Sequence, residues 1–200
     1  GKNTGGMGAV TPGADLTPEE EKQMYDTIFL PTIKALEKEG RVFKGVIYFG
    51  LMLTKNGPKV IEYNARFGDP EAQAVLPRLE NDLCDIIDAC IDGTLDSITL
   101  AWKPGASCAV VMASGGYPES YETGFEITGI ADAGEIVFHA GTKLQDGVLK
   151  TSGGRVLAVY ADADTMEEAI DKAYAGVSGI RFKNMHYRTD IGRTLSGGAH

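Results

Sequence analysis

The sequence predicts an α+β fold with mainly antiparallel sheets. Two capped helical segments and a hairpin signal lie in the first half, and short apolar strands separated by glycine turns fill the second half. Because these strands are joined by turns rather than by crossover helices, antiparallel pairing is favoured. The pattern changes near residues 101–104, where we place a domain boundary. The predicted division is residues 1–100, residues 101–195 and a tail, residues 196–200.

The first helix is predicted to begin after Thr17. Thr17 has the character of an N-cap, Pro18 fits the first helical position, and Glu20 completes a capping box. Gly40 is expected to end the helix, since glycine readily adopts the left-handed conformation found there. Pro31 lies inside this span and is expected to kink or divide it.

A β-hairpin is predicted next. Residues 45–53 are apolar on both faces, which is typical of a central strand. The Asn56-Gly57 pair is a strong turn signal, and it makes residues 59–64 the returning strand.

A second helix is predicted to begin at Asp69-Pro70, which repeats the sequence of a capping residue followed by proline. It is expected to bend at Pro77 and to end at Gly93.

The second half predicts four short strands, then a helix, then one more strand. The strands are expected at residues 108–113, 126–130, 135–140 and 155–161, and the last one near residues 180–182. The helix is expected at about residues 165–175, with Asp164 as its cap.

Composition narrows the class of protein. A net charge of −9 argues against a general nucleic-acid binder, which would present a basic face. No segment has the character of a membrane span or a signal peptide, so a cytoplasmic protein is expected. Cys84, Cys90 and Cys108 lack metal-ligand spacing and are interpreted as buried free thiols. The start at Gly1, on a glycine-rich stretch, suggests a fragment or a processed chain.

Glu62 and Asn64 are the strongest candidate site residues. Side chains alternate along a strand, so these two share one face and Tyr63 takes the other. A carboxylate and an amide oxygen together suit a hard divalent cation that bridges phosphates. The alternative is a solvated strand edge. Arg66, which suits phosphate, and the predicted helix start at Asp69 favour the metal site.

Three further motifs have both a functional and an ordinary interpretation. The glycine-rich stretch of residues 1–8 is either an anion-binding loop or a plain turn. Residues 151–155 (Thr-Ser-Gly-Gly-Arg) either bind a ligand or form a tight turn. Arg188 and Asp190 either contribute to a site or simply pair with each other.

Together these motifs resemble the glycinamide ribonucleotide synthetase family, the phosphoribosylamine–glycine ligases. The resemblance covers nearly the whole chain. It rests on Asn3-Thr4-Gly5-Gly6-Met7-Gly8, Ile61-Glu62-Tyr63-Asn64-Ala65-Arg66-Phe67-Gly68-Asp69-Pro70-Glu71, Ser152-Gly153-Gly154-Arg155 and Tyr187-Arg188-Thr189-Asp190-Ile191-Gly192.

The resemblance implies the C-terminal half of an ATP-grasp domain in residues 1–100 and the family's small C-terminal domain in residues 101–195. The implied reaction is ATP-dependent ligation of glycine to 5-phosphoribosylamine in purine synthesis, with neither nucleic acid nor membrane as a partner. Mg²⁺ or Mn²⁺ would bind to Glu62 and Asn64, and Arg66 and Asp69 would face the reacting groups. The implied substrate-binding residues are Asn3, Thr4, Gly5, Gly6, Met7 and Gly8 for the acceptor, and Gly153, Gly154, Arg155 and Arg188 for its phosphoribosyl end.

The resemblance also implies that the family's N-terminal domain and ATP lid are missing from this chain, so the isolated chain is expected to be inactive. Two alternatives remain open on the sequence. One is another purine-pathway ATP-grasp ligase or carboxylase, and the other is a non-catalytic module that keeps the fold.

Overall fold

The computed structural model describes residues 3–13 and 16–193. They form two compact units: the first comprises the described residues of Gly1–Gly13, Asp69–Arg78 and Trp102–His200, and the second those of Ala14–Gly68 and Leu79–Ala101. This grouping differs from a single boundary near residues 101–104, because residues 3–13 and 69–78 group with the C-terminal region. The division into family domains stays a prediction, and the predicted tail, residues 196–200, lies outside the described residues.

Strands and α-helices are numbered in chain order over the described residues. The strands are β1 (Gly8–Thr11), β2 (Tyr48–Thr54), β3 (Gly57–Asn64), β4 (Ala106–Ser114), β5 (Ile136–His139), β6 (Thr142–Gln145), β7 (Val148–Thr151), β8 (Arg155–Ala163) and β9 (Met185–His186). The helices are α1 (Pro18–Met24), α2 (Leu30–Lys38), α3 (Glu71–Val75), α4 (Leu83–Asp92) and α5 (Met166–Gly179). None of the helices in this described part is long and apolar enough to cross a bilayer.

The first unit is built on a five-stranded antiparallel sheet in the order β1-β4-β8-β5, with β9 paired to the end of β4. The residues of β4 are buried along its whole length. Helix α5 packs on the sheet through Ile170, Ala173 and Val177, which join Val110 and Met112 in the main core. The prediction of an α+β fold with antiparallel pairing is confirmed.

Two predicted strands of the first unit are wrong. Residues 126–130 and 180–182 make only isolated bridges, from Glu126 to Lys150 and from Thr128 to Arg181. Gly129 interrupts the first of these segments with a φ of 81°, far from the extended backbone of a regular strand. The β6–β7 hairpin was not predicted, because its strands are only four residues long.

Helix α5 differs from its prediction at both ends. The Thr165 hydroxyl accepts from the Glu168 N–H at 3.3 Å, so Thr165 rather than Asp164 is the cap. The helix also continues to Gly179, through Gly176, whose missing side chain leaves room for Val159: a Cβ there would lie 2.8 Å from that side chain. Packing against β8 therefore offsets the poor helix propensity of glycine.

The predicted start of the second unit's first helix is confirmed. Thr17 and Glu20 form the reciprocal capping box, and Pro18 is the first residue of α1. A π-helical turn, Tyr25–Phe29, follows and leads into α2. Pro31 lacks an N–H and crowds the carbonyl four residues before it, so the wider turn directly ahead divides the helix as expected. Gly40 follows α2 with a φ of 70°.

The β2–β3 hairpin of the second unit is confirmed, but its first strand is not central. Among the described residues β2 pairs with β3 alone, and Met52 and Leu53 are 54% and 45% exposed. The ring of Phe49 contacts both Phe29 and Tyr63, which fixes the hairpin against the helical segment. The first strand of the hairpin is therefore apolar on both faces, but its side chains are not all buried in this chain.

The helix predicted to begin at Asp69 is two helices. Helix α3 has Pro70 at its N-cap with no side-chain cap, and a 3₁₀ turn around Pro77 ends the segment. Helix α4 begins separately, with the Asp82 carboxylate accepting from the Cys84 N–H at 2.8 Å, and Gly93 ends it as predicted. The bend expected at Pro77 is a complete break.

Candidate functional site

Glu62 and Asn64 lie side by side on β3, as the alternation of the strand predicts. The Asn64 Nδ2 donates a hydrogen bond to Glu62 Oε1 at 3.0 Å. Glu62 pairs with Gly50 of β2, and a Cβ at Gly50 would lie 2.9 Å from Glu62 Cγ. Glycine on the partner strand therefore gives the glutamate side chain its space.

The chemistry of this pair fits a hard divalent cation. Glu62 Oε2 and Asn64 Oδ1, the latter with a long contact from Arg66 at 3.4 Å, are oxygen ligands of the kind that Mg²⁺ and Mn²⁺ prefer. Within residues 3–13 and 16–193 no group of three or more His, Cys, Asp or Glu side chains could hold a metal ion. A cation here would thus complete its coordination with phosphate oxygens and water, as Mg²⁺ commonly does.

Arg66 lies directly beside the pair. Its Nη1 donates to the Phe67 carbonyl at 2.8 Å and its Nη2 approaches Asn64 Oδ1 at 3.4 Å. The side chain is otherwise exposed, so most of its five donors are open to solvent. A guanidinium next to two metal-type oxygens suits a ligand that is itself anionic, such as a phosphate.

The glycine-rich loop, residues 3–8, contacts the other sequence motifs of the first unit. A Cβ at Gly5 would lie 3.0 Å from Arg155 Cζ, and one at Gly6 would lie 2.4 Å from Pro70 Cδ. A Cβ at Gly8 would lie 2.6 Å from the side chain of Ile191. The structure therefore brings together all three motifs that the sequence places apart in this unit.

The glycines of this loop allow close packing, and their part in binding a substrate stays a prediction. Gly5, Gly6 and Gly8 are absent from the described residues with positive φ, so no left-handed backbone requires them. The Gly5 N–H donates to the Tyr117 hydroxyl at 3.0 Å instead of pointing into an open nest. Asn3 and Thr4 are exposed and remain the loop's candidates for contact with a substrate.

Arg155 is held by its neighbours on the first unit. Its Nη2 forms an ion pair with Asp69 Oδ2 at 2.8 Å, and its Nη1 donates to the Asp69 and Gly6 carbonyls at 2.7 and 3.1 Å. The two glycines before it pack closely. A Cβ at Gly154 would lie 2.3 Å from the Tyr117 ring, and one at Gly153 2.9 Å from Gly141 Cα.

Arg188 pairs with Asp190, the ordinary interpretation of that motif. The Arg188 Nε donates to Asp190 Oδ1 at 2.7 Å, and both side chains are about half exposed. This hydrogen bond raises the pKa of Arg188 and lowers the pKa of Asp190. A role for Arg188 at the phosphoribosyl end remains a prediction.

The expected burial of the three cysteines holds for one of them. Cys108 is buried in β4, and burial raises its pKa to about 12, so its thiol stays protonated at neutral pH. Cys90 is partly buried, and Cys84 is exposed at the start of α4.

Tyr117 is the residue that sequence reasoning missed. Its hydroxyl binds the glycine-rich loop and its ring covers Gly154, so it contacts two of the predicted substrate-binding segments. The available signal was its place in Gly115-Gly116-Tyr117-Pro118, a turn directly after the most apolar strand. Nothing in that local pattern indicates which loop the ring would meet.

Family models match both parts of the chain. The model described as "Phosphoribosylglycinamide synthetase, ATP-grasp (A) domain" matches residues 1–72, and "Phosphoribosylglycinamide synthetase, C domain" matches residues 107–194.

Curated relatives and solved structures agree with these matches. A phosphoribosylamine–glycine ligase of Clostridium acetobutylicum is 48% identical over 194 residues, which cover 97% of this chain and 47% of the relative. A bifunctional purine biosynthetic protein of Schizosaccharomyces pombe is 48% identical, over 96% of this chain and 24% of its own length. The chain therefore spans about half the length of the single-function relatives it matches, or less of the larger ones.

The crystal structure of phosphoribosylamine–glycine ligase from Thermotoga maritima superposes with a TM-score of 0.84 at 35% identity, covering 96% of this chain and 47% of that one. The urea carboxylase of Kluyveromyces lactis reaches a TM-score of 0.65 at 13% identity over 96% of this chain and 17% of its own, a likeness of fold alone.

Proposed function

The chain belongs to the phosphoribosylglycinamide synthetase family, and on this premise we propose that it supplies the metal-binding and acceptor-binding part of an ATP-dependent carbon–nitrogen ligase. The full-length ligase would join glycine to 5-phosphoribosylamine and release ADP and phosphate, as a cytoplasmic step of purine synthesis. The observation that carries this proposal is the set of Glu62, Asn64 and Arg66, which combines two metal-type oxygens and a guanidinium at the end of one strand.

Glu62 and Asn64 would hold Mg²⁺ or Mn²⁺. When bound, the cation would neutralise the phosphates of ATP during phosphoryl transfer. The hydrogen bond between the two side chains fixes their relative orientation before any ligand arrives, which lowers the cost of assembling the site.

The proposed chemistry needs no protein nucleophile. The glycine carboxylate is a poor acyl donor, so one of its oxygens first takes the γ-phosphoryl group of ATP and gives an acyl phosphate and ADP. The amine of phosphoribosylamine then attacks the acyl carbon, a C–N bond forms, phosphate leaves with the electron pair of the broken C–O bond, and the proton lost by the amine passes to the departing phosphate or to water. Arg66 would stabilise the negative charge that develops on the transferred group.

Asp69 and the substrate-binding residues have less direct support. Asp69 is fixed by Arg155 and presents a carboxylate that is 46% exposed, which suits a residue facing the reacting groups. The exposed Asn3 and Thr4 would contact the acceptor amine. Arg155 is largely occupied by the protein, so of the two predicted arginines Arg188 is the more accessible to a phosphate.

The activity is proposed for the full-length ligase rather than for this chain alone. The phosphoribosylamine–glycine ligase of Clostridium acetobutylicum is about twice as long as the chain. Strand β2 also leaves apolar side chains exposed, which a further part of an ATP-grasp domain would cover. We therefore expect the 200-residue chain by itself neither to bind ATP tightly nor to turn over.

The test is steady-state kinetics of the full-length ligase that carries this segment, with Glu62→Gln and Asn64→Ala. Each is expected to reduce kcat by about 100-fold, as loss of one preorganised group of a catalytic site commonly does, with an unchanged melting temperature. Glu122→Gln, the same change at an exposed glutamate of the other unit, is the control and is expected to leave kcat unchanged.

Three outcomes would overturn the proposal. Unchanged turnover in both site variants indicates a non-catalytic module. ATP cleavage that depends on another acceptor, with none on phosphoribosylamine, indicates a different ligase or carboxylase. Robust activity of the isolated chain would disprove the need for the rest of the ligase.

A further inference from the structure

Tyr117 is fixed at the end of β4 by both backbone and ring contacts. Its N–H donates to the Ser114 carbonyl at 3.1 Å, which closes the turn after the strand. Its ring packs against a small core formed by Met7, Val111, Ala113 and Ala158. Because Gly154 has no side chain, the ring can lie directly over its backbone. The hydroxyl therefore projects from a rigid base.

The Tyr117 hydroxyl is the acceptor for one specific amide of the glycine-rich loop. The Gly5 N–H donates to it at 3.0 Å, across 112 residues of sequence. A Cβ at Gly5 would lie only 3.0 Å from this oxygen, so the absence of a side chain is what permits the approach. Phenylalanine would fill the same space and offer no acceptor.

The glycine-rich loop is bound at three successive residues, and Tyr117 provides the outermost of these bonds. The Met7 carbonyl accepts from the Val111 N–H at 3.0 Å, and the Gly6 carbonyl accepts from Arg155 at 3.1 Å. Beyond Gly5 the loop continues into Asn3 and Thr4, which are exposed. Toward the N-terminus, the bond to Tyr117 is thus the last of these three before Asn3 and Thr4, whose side chains are proposed to meet the acceptor.

We propose that Tyr117 is a positioning residue for the acceptor site: its hydroxyl sets the backbone course of Gly5 and thereby the placement of Asn3 and Thr4. This inference rests on the proposed function, because it assigns Tyr117 a role in the binding of phosphoribosylamine. It requires no contact between Tyr117 and the substrate. A misplaced loop weakens binding of the acceptor. Glu62 and Asn64 on β3, the proposed metal ligands, keep their positions.

The first experiment measures amide hydrogen exchange in the 200-residue chain and does not depend on activity. Tyr117→Phe is expected to raise the exchange rate of the Gly5 amide by about three- to tenfold, the worth of one neutral hydrogen bond. Tyr121→Phe is the matched control, because it makes the same change on a ring whose centroid lies 6.1 Å away. Equal Gly5 exchange in the parent and the Tyr117 variant overturns the anchoring role.

The second experiment measures steady-state kinetics in the full-length ligase. Tyr117→Phe is expected to raise the KM for phosphoribosylamine by about three- to tenfold, with the KM for ATP and the melting temperature unchanged. Gly154→Ala, at a residue itself predicted to bind the phosphoribosyl end, supplements this test, since its Cβ would meet the Tyr117 ring at 2.3 Å and displace it. It is expected to raise the same KM.

The two experiments separate the failure of this inference from the failure of the proposed function. A parent ligase that uses no phosphoribosylamine refutes the proposed function, and the acceptor role with it, whatever the exchange data show. A parent that is active, with equal KM values for phosphoribosylamine in the Tyr117 and Tyr121 variants, refutes the positioning role alone. Equal increases in the KM for ATP and for phosphoribosylamine would indicate a general structural effect and refute it as well.

Discussion

The side chain of Arg155 binds both the carboxylate and the backbone carbonyl of Asp69. The Arg155 Nη2 lies 2.8 Å from Asp69 Oδ2, and its Nη1 donates to the Asp69 carbonyl at 2.7 Å. The other carboxylate oxygen, Oδ1, accepts from Gln73 Nε2 at 2.9 Å. The acid predicted to face the reacting groups is therefore oriented by two partners, and it is not free to cap the helix that follows it.

This ion pair predicts a measurable coupling between two distant parts of the sequence. In the 200-residue chain, Arg155→Lys is expected to lower the free energy of unfolding by about 1–3 kcal/mol, because one ammonium group cannot reproduce the forked donors. A double-mutant cycle with Asp69→Asn, measured by urea unfolding, should give a coupling of about 0.5–1 kcal/mol, since the carboxylate is 46% exposed. Additive single effects would contradict the pairing.

The close approach of the glycine-rich loop to Pro70 predicts a steric cost. Gly6→Ala places a methyl group 2.4 Å from the Pro70 ring, which is rigid and cannot move aside, so a loss of stability of about 1–3 kcal/mol is expected. Gly13→Ala is the matched control, since no atom of the residues that the structure describes lies within 4 Å of its added carbon. Thermal unfolding of both variants checks this. Equal melting temperatures would mean that the loop does not pack on Pro70.

Features with a local cause could be predicted from the sequence. The Thr17–Glu20 capping box, the termination at Gly40 and Gly93, and the placement of Glu62 and Asn64 on one strand face each depend on residues within a few positions of one another. In such cases the backbone geometry of one element determines which groups meet. These signals were correct because the groups that meet belong to one element or to its ends.

Features that depend on tertiary partners could not be predicted. Asp69-Pro70 has the sequence of a helix cap, yet Arg155, 86 residues away, takes the carboxylate. The glycines of residues 5–8 left an anion-binding loop and a plain turn open, and neither interpretation indicated the close contacts that they make with distant motifs. The turn that contains Tyr117 could be recognised from its sequence, but its partner could not, because Gly5 lies 112 residues away. The placement of Glu62 beside Asn64 was thus predictable, and the contacts that hold the glycine-rich loop were not.

The finding that Thr165, and not Asp164, caps α5 can be tested by substitution. Thr165→Ala is expected to destabilise the chain by about 1 kcal/mol, because it removes the oxygen that accepts from the Glu168 N–H. Asp164→Ala changes the neighbouring exposed residue that sequence reasoning favoured, and it is expected to have little effect. Urea unfolding of the two variants distinguishes them, and the reverse order of effects would restore Asp164 as the cap.

The Arg188–Asp190 pair predicts a shifted titration. The hydrogen bond from Arg188 holds the pKa of Asp190 below its usual 3.8, so the pair is present above that lowered pKa and is lost as the pH falls through it. Arg188→Met is expected to move the NMR titration of the Asp190 carboxyl upward, toward 3.8. Arg193→Met is the control for loss of a nearby cation, and an equal shift in both variants would show a general charge effect instead.

Cys84 predicts a charge-controlled reactivity. Its pKa is raised most by the charge of Asp82, the cap of α4, and least by the charge of Asp85 among the groups that raise it. Asp82→Asn keeps a side chain able to cap the helix and removes the charge, so the thiol pKa should fall and alkylation by iodoacetamide at pH 8 should become faster. Asp85→Asn, the control, should accelerate alkylation less. The measurement uses a Cys90→Ser background, in which the buried Cys108, with a pKa raised to about 12, does not compete in the folded chain. Equal rates for the two aspartate variants would show that Asp82 does not set the reactivity of the thiol.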